Sequence, residues 1–400
     1  MMEKAPIRWA MNTMPKTDDK WLSVMSAEEV EKVLAFHKSF PQYARTPLAQ
    51  LSGAAGRLGL KGMFVKDESY RFGLNAFKVL GGSYAIASEI AEAVGRDIAQ
   101  TDYAYLTGGQ LEKDFGQATF FTATDGNHGR GVAWSARVLG QKAVVLMPKG
   151  TVQSRYDNIA REGAHVTIED ANYDACVRRA CALAEETERG IVVQDTAWPG
   201  YERIPCKVMR GYGTMACEAV QQLKEAGFDR PTHVFLQAGV GTMAGAVQGY
   251  LANLFGQECP KVIVMEADAA DCHYRSAIAG DGSICTVGGD LNTMMAGLAC
   301  GEPNPISFDI LKNHASCFIS CGDWVSAQGM RMLAHPEEGD PVVVSGESGA
   351  VGTGLVAAIM TDPAYRELKD ALGLDERSVV LLFSTEGDTD PENYRAIVEA

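Results

Sequence analysis

Positive charge is scarce in this chain. Its 36 lysines and arginines face 51 acidic residues, for a formal charge of −15. Phosphate backbones are gripped by stripes of Lys and Arg, and no such stripe occurs, which argues against non-specific nucleic-acid binding, and no nucleic-acid partner is expected. Long apolar runs are also missing: none approaches the ~20 residues that a membrane helix needs, so no membrane association is expected. Residues 1–20 are polar and mixed in charge, without the apolar core of a secretory leader, and the expected location is cytoplasmic. Neither C-x-x-C nor H-E-x-x-H appears, so no metal site is expected. The ten cysteines are scattered and read as small buried apolar residues, mostly reduced thiols. There is no internal repeat, no low-complexity stretch and no Pro/Ser-rich linker.

What is present is an ordinary globular composition, 46% hydrophobic and 22% charged over 400 residues, enough for two domains with ample core. From about Thr46 onward, short β-branched runs alternate with helical spacings. Strands are expected at 118–124, 143–147, 165–168, 191–194, 233–237, 261–266, 342–344 and 378–383. Helices are expected at 131–139, 153–162, 173–188, 204–226 and 242–255. Residues 103–116 are polar and poorly periodic and read as an inserted loop. This alternation predicts an α/β fold of mostly parallel, twisted sheets flanked by helices. Ligands of such sheets sit beyond the carboxyl ends of strands, in a cleft.

Three motifs fall at such junctions. The run Asp67-Glu68-Ser69-Tyr70-Arg71-Phe72-Gly73-Leu74-Asn75-Ala76-Phe77-Lys78 sets a lysine behind a small-residue turn where a helix begins. Phe77 would wall a pocket, and Gly81-Gly82 would allow close packing against a ligand. A partly desolvated amine gives up protons readily, as a Schiff-base lysine or an α-proton base must. The second motif is Asp125-Gly126-Asn127-His128-Gly129. Here Asp125 is a plain helix cap, a second base or a partner for an amino group on the substrate, and Asn127 either a turn former or a donor to a phenolate oxygen. The third, Gly239-Val240-Gly241-Thr242-Met243-Ala244-Gly245, follows a strand and aims backbone N–H groups at an anion. On its own this loop also fits a dinucleotide site, with Glu266 at the next strand end placed for a ribose. Taken together the three motifs point to pyridoxal 5′-phosphate (PLP).

At these residues the chain resembles the fold-type-II PLP enzymes, the group that includes tryptophan synthase β and the serine and threonine dehydratases. Arg45-Thr46-Pro47-Leu48 resembles their early T-P-L. Val65-Lys66-Asp67-Glu68 through Phe77-Lys78 resembles K-x-E…S-F-K, Asp125 to Gly129 resembles S-x-G-N-H, and Glu347-Ser348-Gly349-Ala350 resembles E-P-S-G-A. The resemblance runs from about 45 to 387. It implies a large PLP-binding domain, 1–90 plus 209–400, an inserted small domain, 91–208, PLP in the cleft between them, and a homodimer.

Two departures redirect the chemistry. Asn-Ala-Phe-Lys replaces Ser-Phe-Lys, and Asp125 replaces the serine that dehydratases use near substrate. With 103–116 and Val193-Gln194-Asp195-Thr196-Ala197-Trp198, the chain looks most like the diaminopropionate ammonia-lyase family. That family eliminates the β-amino group of D- and L-2,3-diaminopropionate to give pyruvate and ammonia. The resemblance implies Lys78 and Asp125 as bases on opposite cofactor faces. Asp195 orients Asp125, holds the β-amino group, or is structural. Phe77, Asn127, Gly239, Val240, Gly241, Thr242 and Met243 are the implied cofactor contacts, with Thr385 (or Ser384, one residue earlier) at the pyridine nitrogen. The alternatives are a serine/threonine dehydratase and, more remotely, an NAD-dependent oxidoreductase. A hydrolase built on Ser348 fails because every histidine precedes it.

Overall fold

The computed structural model describes residues 5–124 and 126–400. Strands in chain order are β1 Arg8–Met11, β2 Leu48–Gln50, β3 Gly62–Asp67, β4 Thr119–Ala123, β5 Lys142–Met147, β6 His165–Ile168, β7 Gly190–Val192, β8 His233–Gln237, β9 Lys261–Ala267, β10 Cys317–Cys321 and β11 Val379–Ser384. The chain divides into two compact units. One holds the chain up to Ala27, Arg45–Ala76 and Met215–Ala400; the other holds Glu28–Ala44 and Phe77–Thr214. The smaller unit thus begins ahead of residue 91 and also takes in 28–44.

In the first unit a seven-stranded sheet runs β1-β10-β9-β8-β11-β3-β2, with β1 and β2 antiparallel at its edges and the five strands between them parallel. Strands β3, β8, β10 and β11 are buried along their whole length, which explains why they include continuous apolar runs such as Val379-Val380-Leu381-Leu382-Phe383. Phe235, Ile263, Met265, Ile319, Val380 and Leu382 share one core. The second unit carries a four-stranded, wholly parallel sheet, β6-β5-β4-β7.

The expected strands and helices from 118 to 266 are present within a few residues. Two expectations change. Residues 103–116 form helices Tyr103–Thr107 and Gly109–Asp114 rather than a loop; Asp102 caps the first by accepting from the Tyr105 N–H. Residues 342–344 have no ladder partner, and Val342 is exposed, so this apolar run is not a strand. Among the described residues no helix is long and apolar enough to cross a membrane.

Candidate active site

In the first unit, β8, β11 and β3 are parallel neighbours, with Ser384 opposite Asp67. Their carboxyl ends, with that of β9, line one sheet edge. From β8 the chain passes through the loop into helix Thr242–Phe255. Gly241 takes φ +85°, a left-handed conformation in which only glycine is unstrained. A β-carbon at Gly239 would lie 2.9 Å from the Gly297 carbonyl. The N-cap Gly241 makes no side-chain cap hydrogen bond, and the helix dipole favours an anion at this end.

At the end of β11, the Ser384 hydroxyl donates to Ser345 Oγ at 2.7 Å. Thr385 Oγ1 instead accepts from Gln237 Nε2 at 3.0 Å, which leaves its own proton to donate onward. The Glu386 carboxylate turns to the start of helix Glu347–Thr361 and accepts from the Ser348 N–H. Glu266, the residue a dinucleotide ribose would need, accepts from the backbone N–H groups of His273 and Tyr274. That carboxylate is committed to a helix start, and the dinucleotide reading loses its anchor.

The second unit holds the lysine. Lys78 is the N-cap of helix Val79–Ala93, and its Nζ lies 2.5 Å from Asp195 Oδ2. Two strand ends make this meeting possible: β4 and β7 are paired, and the chain beyond β7 leads to Asp195. Gln194 clasps β4, accepting from Thr122 Oγ1 and donating to the Ala123 carbonyl, both at 2.7 Å. His128 Nε2 donates to the Val193 carbonyl at 2.9 Å, and its Nδ1 faces Asp195 Oδ2 at 3.9 Å.

Burial by itself would raise the Asp195 carboxyl. The Lys78 ammonium more than offsets it and holds the acid well below the usual carboxylate range. Burial pulls the His128 imidazole below its ordinary value, so the ring stays neutral at pH 7. Asp195 therefore remains a carboxylate beside the amine. Lys78 and Asp195 keep some solvent access, with side chains 21% and 11% exposed.

Two local readings need revision. Gly81 makes room for protein rather than ligand: its β-carbon would lie 2.7 Å from Val208 and 2.8 Å from the Tyr212 ring. Gly82 likewise lies against the backbone of Gly131 and Val132. Tyr212 itself was not foreseen. Its ring meets Phe77 at 4.8 Å, and Lys78 Nζ sits 6.0 Å from its centre. Burial raises its phenol well above the ordinary value, so it stays protonated. The available signal was Gly211, whose β-carbon would lie 2.2 Å from the Leu80 carbonyl and which admits the close helix contact. Asn127 opens helix Asn127–Val138, and Asp125 lies outside the described residues.

A parallel-rich α/β sheet with a glycine loop and a neutral hydroxyl at its carboxyl edge, and a lysine at a helix start, define a fold-type-II PLP enzyme. The fit is local and physical: a left-handed Gly241 without a side-chain cap opens a helix, and Thr385 keeps a proton to offer. Residues 40–385 match the family described as pyridoxal-phosphate dependent enzyme. A diaminopropionate ammonia-lyase from Salmonella typhimurium is 50% identical over 378 residues, covering 94% of this chain and 93% of that protein. The holo crystal structure of the Escherichia coli diaminopropionate ammonia-lyase superposes with a TM-score of 0.91 at 46% identity, over 99% of this chain and 97% of that one. The same enzyme in complex with D-serine gives 0.90 at 47%, over 98% and 97%. The chain belongs to the pyridoxal-phosphate-dependent enzymes and, within them, to the diaminopropionate ammonia-lyase family.

Proposed function

We propose that this protein eliminates the β-amino group of 2,3-diaminopropionate, of either hand, to give pyruvate and ammonia. The observation that carries this reading is the Lys78–Asp195 contact, an amine and a depressed carboxylate with solvent access in one place. In this reading Lys78 holds the cofactor's carbonyl carbon, the N–H groups of Gly239 to Met243 its phosphate, Asn127 its phenolate oxygen and Thr385 its pyridine nitrogen. Phe77 walls the ring. PLP, when bound, supplies an electron sink that acidifies the substrate's α-proton.

The remaining steps belong to the chain. Lys78 Nζ takes the α-proton from one face and holds it. Asp195 stays ionised, orients Nζ through its Oδ2, and offers the substrate's second ammonium a carboxylate where a hydroxyl would be a weaker partner. His128, neutral and fixed by Val193, packs beside Asp195 without a hydrogen bond to it. Accepting the other enantiomer requires a base on the opposite face, and Asp125 is the residue assigned to it from its position in the sequence. The D-serine complex of the Escherichia coli relative supports a site that accommodates a D-amino acid. A homodimer is inferred from the family resemblance. A cytoplasmic location is inferred from ten cysteines that are all thiols here.

The test is to supply D- and L-2,3-diaminopropionate, L-serine and L-threonine and to measure keto acid and ammonia together. Pyruvate with about two ammonia per turnover from both diaminopropionate isomers is expected. Turnover confined to serine or threonine, with about one ammonia per keto acid, would make the protein a dehydratase.

A further inference from the structure

Behind the glycine loop lies an imidazole that the elimination chemistry does not use. His273 is completely buried in the first turn of helix Cys272–Ala279. Its Nδ1 lies 2.7 Å from Glu266 Oε1, and because a carboxylate only accepts, Nδ1 carries a proton there. The same carboxylate accepts from the backbone N–H groups of His273 at 2.9 Å and Tyr274 at 2.7 Å, so the ring is held in one orientation. Its other nitrogen, Nε2, is buried and has no hydrogen-bond partner among the described residues. It faces Gly241 so closely that a β-carbon on that residue would lie 2.4 Å away.

The loop is braced elsewhere by bonds that are already complete. The Asn304 N–H donates to the Val240 carbonyl at 2.7 Å, and Asn304 Nδ2 donates to Thr242 Oγ1 at 2.9 Å. The imidazole adds an unused polar atom against Gly241 itself. A buried nitrogen left unbonded is costly, and an apolar ring would fill the same space without that cost.

We propose that His273, held by Glu266, is a positioning residue for the cofactor phosphate, its Nε2 donating toward the loop and its anion from behind Gly241. With Nδ1 engaged by Glu266, a donor at Nε2 makes the ring a cation, the charge that a phosphate dianion favours. This rests on the assignment of Gly239 to Met243 as the phosphate loop.

The two ring nitrogens can be separated by substitution. His273→Asn keeps a donor near Glu266 and removes Nε2; His273→Gln places an amide nitrogen near the Nε2 position. Apoprotein is titrated with PLP by fluorescence, and the bound phosphate is followed by phosphorus NMR. The dissociation constant is expected to rise about tenfold in His273→Asn, with a moved phosphorus line, and to stay within about twofold of wild type in His273→Gln. Equal affinity in both variants, or equal losses in both, overturns the proposal. In the wild type, nitrogen NMR of labelled histidine should show one buried Nε2 signal moving when PLP is added to apoprotein; no movement also overturns it. Gly241→Ala serves as the control for the loop. If it abolishes PLP binding while His273→Asn does not, only the histidine's role fails; if it binds PLP normally, the loop assignment fails as well.

Discussion

Lys66 and Lys78 lie on the same stretch of chain, and each meets a carboxylate within hydrogen-bond distance, yet they sit in opposite environments. Lys66 is sealed. Its ammonium donates to the Thr46 carbonyl at 2.8 Å and to Glu218 Oε2 and Gln222 Oε1 at 2.7 Å, one acceptor for each proton. Arg71 bridges Glu68 and Glu218 with bonds of 2.8 to 3.0 Å, and Thr46 Oγ1 donates to Glu68 at 2.7 Å. The charged side chains of this cluster are at most 1% exposed. Burial tends to raise the Glu218 carboxyl, but Arg71 and then Lys66 draw it down to about 2. Lys78, by contrast, keeps 21% exposure beside Asp195. The sealed lysine holds together the turn that leads toward Phe77-Lys78, and the accessible one is available to react. Bond partners and water access separate the two roles, since the side-chain chemistry is the same.

The comparison breaks most sharply at Lys78. Lys78→Ala should cut diaminopropionate turnover on the order of 10⁴-fold while the melting temperature barely moves; a large loss of stability instead would make this lysine structural too. Glu218→Gln should do the reverse. It strands buried positive charge and should cost about 3–5 kcal/mol, read from denaturant unfolding, while turnover per folded molecule is kept. Asp195→Asn should lower turnover by roughly 10²-fold, and a wild-type rate would remove the acid from the working pair.

Acid unfolding sharpens the contrast further. The Glu218 carboxyl is depressed from 4.5 to about 2, so its stabilisation is full above pH 4.5 and is lost as the pH falls through about 2. Wild type should lose stability across that window, and Glu218→Gln should start lower and show a shallower fall. The smallest effect is expected at Arg45–Glu225, an exposed pair with side chains 39% and 58% accessible. Arg45→Ala should leave the melting temperature within about a degree of wild type, because solvent screens such pairs.

Much of the candidate site could be proposed from the sequence because its motifs are local. A glycine loop after a strand, a lysine at a helix start and an acid near a strand end each declare themselves within a few residues. The same local view misread Gly81, since a glycine run looks alike whether it clears space for a ligand or for the ring of Tyr212. It also took Lys66 and Glu68 as parts of one motif with Lys78, whereas they join an internal ion lattice closed by Glu218, far along the chain.

The sequence by itself determined the α/β class, the order of most strands and helices, and the side chains able to carry the chemistry. Those follow from periodicity and from the conformations that glycine, proline and β-branched residues allow. Only the tertiary structure decided that Asp195 meets Lys78, that Thr385 rather than Ser384 keeps its proton, that Glu266 is spent on a helix, and that His273 stands behind Gly241. The pairing of parallel strands set these contacts, because it brings together strand ends that lie far apart in the chain.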